Sequence, residues 1–177
     1  SALSKVDIRQ LALVEMAGLS AETNETATLS IRTGLSRMYL DEVTPARSVI
    51  MSVTIGTLYP LHAGSSSKAF LAFLPDAEIE HYLDGTLGRL TSATPIDKQA
   101  LLAELAMIRA RGWAESVGER QSGAASVAAP VFDGQGAAIA VLSVCGPMQR
   151  FVEEQELCLS KLLAATARLS VQMGYRR

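Results

Sequence analysis

Hydrophobic and polar positions change their spacing several times along this chain, and each change marks an element. Ser4-Lys5-Val6-Asp7 is a weak capping-box match, with Asp where Glu is preferred, and it opens an apolar run through Met16 that reads as a helix. Ala27, Leu29 and Ile31 then alternate with Thr28, Ser30 and Arg32, and Met38 and Leu40 alternate with Tyr39 and Asp41. A period of two means strands, and Thr33-Gly34-Leu35-Ser36 supplies the turn of an antiparallel hairpin. Val49, Met51 and Val53 read as a third strand, ended by Gly56 and the Tyr59-Pro60 pair.

From Ser65 the spacing is helical, through Ala69, Ala72 and Phe73, until Pro75 stops it, because the residue before a proline avoids helical angles. Asp76 is expected to cap a short helix from Ala77 to Leu83, and Asp97 a stronger one through Arg111, whose Leu101, Leu105 and Ile108 form one apolar stripe. Arg109 and Arg111 suit the negative end of that helix, and Gly112 can take the left-handed angles that end it. Trp113 to Val117 and Ala125 to Phe132 read as strands, and Asp133-Gly134-Gln135-Gly136 turns the chain into Ala138 to Val144. That uncharged run predicts a central strand buried on both faces. Gly146-Pro147 breaks it, and Val152 to Met173 forms a closing helix. Hairpin-like joints in place of regular crossovers give an α+β plan: one antiparallel sheet of about six strands, with the terminal helices on one face and the middle helices over the other.

Composition narrows the class. A chain of 177 residues fits one domain spanning 1–177, and at that size roughly 70% of the unfolded surface is buried without covalent staples. The two cysteines, Cys145 and Cys158, are too few for a disulfide framework and favour a reducing, cytoplasmic setting. With a net charge of -2 and 16 scattered basic residues, the chain has no stripe to neutralise consecutive phosphates. It shows neither a membrane-length apolar run nor a secretory leader. Because the first apolar run begins almost at residue 1, the chain is expected to be cut from a longer protein.

Specific words in the sequence go further than its pattern. Pro60-Leu61-His62-Ala63 followed by Gly64 to Ala72, the helix end Ile108-Arg109-Ala110-Arg111-Gly112-Trp113-Ala114, Glu119 with Gly123, Ser126 to Asp133, and Leu142 to Pro147 with Arg150 occur in that order, with Glu25 before the first strand. The series resembles the regulatory domain of the IclR family of bacterial transcription regulators over nearly the whole chain. The resemblance implies a GAF-like fold, a small-molecule metabolite as partner, DNA contact only through an N-terminal winged helix-turn-helix absent from this chain, homodimers or homotetramers, and no cofactor. Ser67 stands where the family usually has Gly, and Cys145 where it usually has Ser.

Carried over by position, the resemblance points to Ser65, Ser66, Ser116, Ser126, Ser143 and Cys145 as ligand contacts. The chemistry agrees: Ser65 and Ser66 start a helix, where free N–H groups and the helix dipole can hold a carboxylate without any basic side chain. Ser126 and Ser143 would add hydroxyls from the sheet. Each has a plainer reading. The serines can equally cap a helix, Ser143 can bond a carbonyl, and Cys145 and Cys158 can simply fill space. His62 suits a structural hydrogen bond, since with only His81 besides it a three-histidine zinc site cannot form. Glu119 is buried against Arg150 or a backbone turn, or reaches the ligand, and Trp113 is core or the roof of the pocket. An effector-sensing domain is therefore expected, not an enzyme. The alternatives are a small hydrolase or isomerase using Cys145 or a serine with His62, and a ligand-free dimerisation module.

Overall fold

The computed structural model describes residues 5–177, with side chains from Ile8 onward. The capping role read for Ser4 and Asp7 lies outside the described residues. The chain runs α1 (Lys5–Thr23), β1 (Thr26–Thr33), β2 (Ser36–Val43), β3 (Tyr59–Pro60), α2 (Ser65–Ala72), α3 (Asp76–Asp84), α4 (Lys98–Arg111), β4 (Ala114–Val117), β5 (Ala124–Phe132), β6 (Ala138–Pro147) and α5 (Met148–Gln172). Six strands make one sheet in the order β3-β2-β1-β6-β5-β4, and every adjacent pair is antiparallel. The uncharged run is β6, with β1 and β5 on either side.

Alternate strand residues feed two different cores. Ala27 and Leu29 of β1, Val127 and Val131 of β5, and Leu142 and Val144 of β6 pack with Met16, Phe151 and Leu162 of the terminal helices. Ala114, Ala128 and Val141 point the other way, toward Phe70, Leu105 and Ile108 of the middle helices. Each large apolar side chain removed from water in this way stabilises the fold by about 1.5–3 kcal/mol. With a helical layer on both faces, polar strand residues that would ordinarily meet water have to find partners inside the protein.

Some local expectations were overturned, each by a tertiary contact. Val49 to Val53 is not a strand; residues 44–58 run irregularly, apart from a single bridge between Tyr39 and Ile55. Side chains hold this backbone where a ladder was expected: Thr26 Oγ1 donates to Met51 O at 2.5 Å, the Glu42 carboxylate accepts from Val53 N at 2.9 Å, and Arg150 Nη2 donates to Val49 O at 2.7 Å. The outermost strand is instead Tyr59–Pro60, where an edge tolerates proline.

Asp76 does not cap α3, whose N-cap is Pro75 without a side-chain bond. Its carboxylate accepts from Arg109 Nη1 at 2.9 Å, and Arg109 also donates to Ala72 O at 2.7 Å and to Leu74 O. Arg109 thus closes the carbonyl end of α2 and not of its own helix. Asp97 does cap α4, accepting from Ala100 N at 2.8 Å, and Gly112 ends it with φ 87°. β6 continues through Gly146 to Pro147 because Gly146 leaves room for Glu25; a Cβ there would lie 2.4 Å from Glu25 Oε2.

Candidate functional site

Helix α2 is buried along its whole length although its first half is polar. Ser65 and Ser66 are 2% exposed, and Ser67 and Lys68 0%. Burial of this kind is costly unless each group is paired. Lys68 Nζ donates to Glu119 Oε2 at 2.8 Å and Glu115 O at 2.9 Å, and also meets the Glu104 carboxylate. Ser67 Oγ accepts from Arg37 Nε at 2.7 Å, and Ser65 Oγ meets Ser126 Oγ at 2.6 Å. Glu119 Oε1 accepts from Gly64 N at 3.2 Å. Burial pushes the Glu119 carboxyl above its ordinary range, and the Lys68 ammonium opposes that shift.

The backbone at the start of α2 lacks comparable partners. Its N-cap is Gly64, held at φ 97°, so no side chain caps the helix. Among the described residues, none accepts from the N–H groups of Ser65, Ser66 or Ser67. A buried, uncapped helix start presents convergent donors and the positive end of the dipole to whatever lies in front of it.

In front of it lies a row of small polar side chains set by the strand register. Ser116 pairs with Ser126, Ser126 with Cys145, and Cys145 with Thr26, so these four lie side by side across β4, β5, β6 and β1. Thr28 and Ser143 are the neighbouring pair, and their hydroxyls hydrogen-bond each other. Ser143 therefore finds a hydroxyl partner, not the carbonyl considered for it. Ser65, Ser116, Ser126, Ser143 and Cys145 all line one cavity of about 20 Å³, enough for about one water. Ser66 is buried in α2 but is not part of this wall.

Other candidates are placed elsewhere or differently. His62 Nε2 donates to Gly88 O at 2.8 Å and Nδ1 hydrogen-bonds the Tyr82 hydroxyl at 2.7 Å, away from the cavity wall. No pairing of His62 with Cys145 or with a cavity serine forms. Burial pushes both the Cys145 and Cys158 thiols up to about 12, which leaves them without nucleophilic thiolate at neutral pH. Trp113 packs on the side of the terminal helices, with the Arg111 guanidinium 3.5 Å from its ring centroid, and is not the roof of the cavity. Glu119 reaches the cavity wall and pairs with Lys68, whereas Arg150 pairs with Glu25 through Nε at 2.9 Å and Nη2 at 2.6 Å. Glu115 faces the other way and accepts from Gln155 Nε2 at 2.6 Å.

The sequence reading missed the cationic part of the wall. Arg37, 1% exposed, lies with its guanidinium carbon 4.4 Å from the Tyr39 ring centroid and 5.1 Å from that of Tyr59. Arg120 approaches the same two rings at 5.5 and 5.2 Å. The expectation of a site without basic side chains is thus corrected. Arg37 and Tyr39 alternate with the apolar Met38 and Leu40, so they occupy the strand face that a sheet covered on one side only would turn to solvent. Two larger grooves of about 500 Å³ each, between α3 and α4 and beside the end of α5, are open to solvent and lack this buried polar wall.

The small polar cavity thus lies inside a sheet covered on both faces, with His62 engaged by Tyr82 and Gly88 and the Cys145 thiol buried in the wall. Comparison with known proteins defines the class as transcription regulators. Residues 1–171 match the family described as bacterial transcriptional regulator IclR, C-terminal. The regulator KipR of Bacillus subtilis is 31% identical over 97% of this chain and 69% of its own length, and KdgR of Escherichia coli 34% identical over 98% and 67%. The crystal structure of the Thermotoga maritima IclR superposes with a TM-score of 0.89 at 30% identity, covering 96% of this chain and 69% of that one. An IclR homologue from Microbacterium hydrocarbonoxydans, complexed with 4-hydroxybenzoate, superposes with a TM-score of 0.86 at 25% identity, covering 95% and 68%. The chain belongs to the IclR family of bacterial transcriptional regulators and corresponds to their C-terminal part.

Proposed function

We propose that this chain is an effector-sensing domain: a small carboxylate metabolite enters the cavity in front of α2 and alters DNA binding by an N-terminal winged helix-turn-helix of the full-length regulator. The uncapped, buried start of α2 carries this reading, since a carboxylate there would accept from N–H groups that otherwise lack partners. Ser65, Ser116, Ser126, Ser143 and Cys145 complete the wall. That a homologue was crystallised with 4-hydroxybenzoate, itself a carboxylate, supports the ligand class.

At about 20 Å³ the cavity cannot take a metabolite of several heavy atoms as it stands. Entry requires the wall to move, and the segment carrying Arg120 and Gln121 lies between Gly118 at φ 68° and Gly123 at φ 83°. Such motion is also what signalling needs, because a ligand shifts only those equilibria whose two states it binds unequally. Thermal-shift screening with aliphatic and aromatic carboxylates tests the reading. A bound member raises the melting temperature by an amount that grows with the logarithm of its affinity, and Ser126→Ala or Ser143→Ala weakens binding a few-fold. A panel without a single stabilising carboxylate defeats the reading.

A further inference from the structure

Charge in the cavity wall is out of balance. Three side chains charged at neutral pH line it: Arg37, Glu119 and Arg120. The one carboxylate, Glu119, is already committed to Lys68 at 2.8 Å. Arg37 is 1% exposed, donates only to the hydroxyls of Ser67 at 2.7 Å and Ser30 at 3.5 Å, and is in no ion pair among the described residues. Its Nη2 reaches the start of α2, 3.4 Å from where a Cβ on Gly64 would stand, and the Arg120 Cβ is 3.5 Å from the same point. Arg120 also forms no ion pair among the described residues; its Nη2 donates to Gln121 Oε1 at 3.4 Å. Two guanidinium groups thus share two tyrosine rings and one helix start, and among the described residues no carboxylate pairs with either.

Ring faces attract cations, but they do not neutralise two like charges held close together. Planar guanidinium forks match carboxylates in a paired, bidentate geometry, and one that is already desolvated gives each such bond its full electrostatic weight. We infer that Arg37 and Arg120 set the charge specificity of the cavity: with the start of α2 they form a receptor for a small aliphatic dicarboxylate, preferred over a monocarboxylate of the same size. This rests on the effector reading above and adds to it the number of charges on the ligand and the residues that count them.

Malonate and propanoate differ essentially in the second carboxylate, so at neutral pH they isolate that charge. Isothermal titration of the whole chain with each, and with sulfate as a plain dianion, tests the assignment. Malonate should bind at least about tenfold more tightly than propanoate, because one charge-assisted hydrogen bond to a buried cation is worth that factor or more. Arg120→Gln, at a partly exposed position that the fold tolerates, should bring the ratio near one while circular dichroism and melting of the free protein stay unchanged. Arg37→Met should abolish malonate binding, provided the variant melts cooperatively. If propanoate binds as well as malonate, or Arg120→Gln leaves the ratio intact, the charge assignment fails while the effector reading stands. Sulfate binding as tightly as malonate also overturns it, making this a general anion site. If neither malonate nor propanoate binds, the charge assignment fails, and the effector reading falls with it only where the wider carboxylate panel is blank as well.

Discussion

Replacing Glu25 by Ala should destabilise the domain by about 3 kcal/mol. The carboxylate is 0% exposed and receives Arg150 through Nε at 2.9 Å and Nη2 at 2.6 Å, with Arg47 Nη1 at 3.7 Å. Breaking a buried pair by removing one partner costs about 3–5 kcal/mol, chiefly because the other charge is stranded. Here the stranded groups are Arg150 and Arg47, whose side chains are 25% and 28% exposed and can recover water, so the low end applies. In a chain of this size each kcal/mol moves the midpoint by about 2–4 °C, giving a fall of about 6–12 °C. Urea and thermal denaturation measure it. In a double-mutant cycle with Arg150→Met, the pair should lose at least about 1 kcal/mol less than the sum of the single losses. A loss below about 1 kcal/mol, or strict additivity, would refute the argument. The pH dependence follows with its sign. Burial alone would raise the Glu25 carboxyl, but the hydrogen bonds from Arg150 and the Arg150 and Arg47 charges oppose it, and the group lies below its ordinary range. Its stabilisation is therefore present at neutral pH and is lost as pH falls through that depressed value, so the wild type should lose stability more steeply in acid than Glu25→Ala.

Three further outcomes follow from the same contacts. Gly146→Ala places a Cβ 2.4 Å from Glu25 Oε2 and must displace the carboxylate; its melting point should fall about as far as that of Glu25→Ala, and the two losses should not add. With both thiols pushed up to about 12, iodoacetamide should alkylate Cys145 and Cys158 of the native protein far more slowly than a free cysteine at mildly alkaline pH, as read by mass spectrometry. Labelling at the free rate would show that neither site is as closed as described. Asp97→Ala removes the bond to Ala100 N and should cost about 1 kcal/mol by urea titration, with effector affinity unchanged.

Period-two alternation at Ala27 to Ile31, the glycine-bearing turn at Gly34, the Asp97 cap and Gly112 act over a few residues, and so the hairpin, α4 and the α+β plan were legible along the chain. Ser65, Ser126 and Ser143 were legible too, through the family words that contain them, and Ser116 through its place just after one. Wrong or absent readings share a different cause. Val49 to Val53 has the alternation of a strand, but Thr26, Glu42 and Arg150, distant in sequence, take up its backbone groups. Arg109 stands at the end of α4 and closes α2.

Arg37 shows the distinction most clearly. A lone arginine alternating with apolar residues looks the same whether its strand face meets water or protein, because alternation encodes which side a residue points to and not what covers that side. Only the packing of α2 over the sheet turns the polar positions of β1, β2, β5 and β6 into an interior, where desolvation makes every hydroxyl and guanidinium seek a partner. Local stereochemistry along the chain chose the elements. The covering of both sheet faces decided which polar residues became a site.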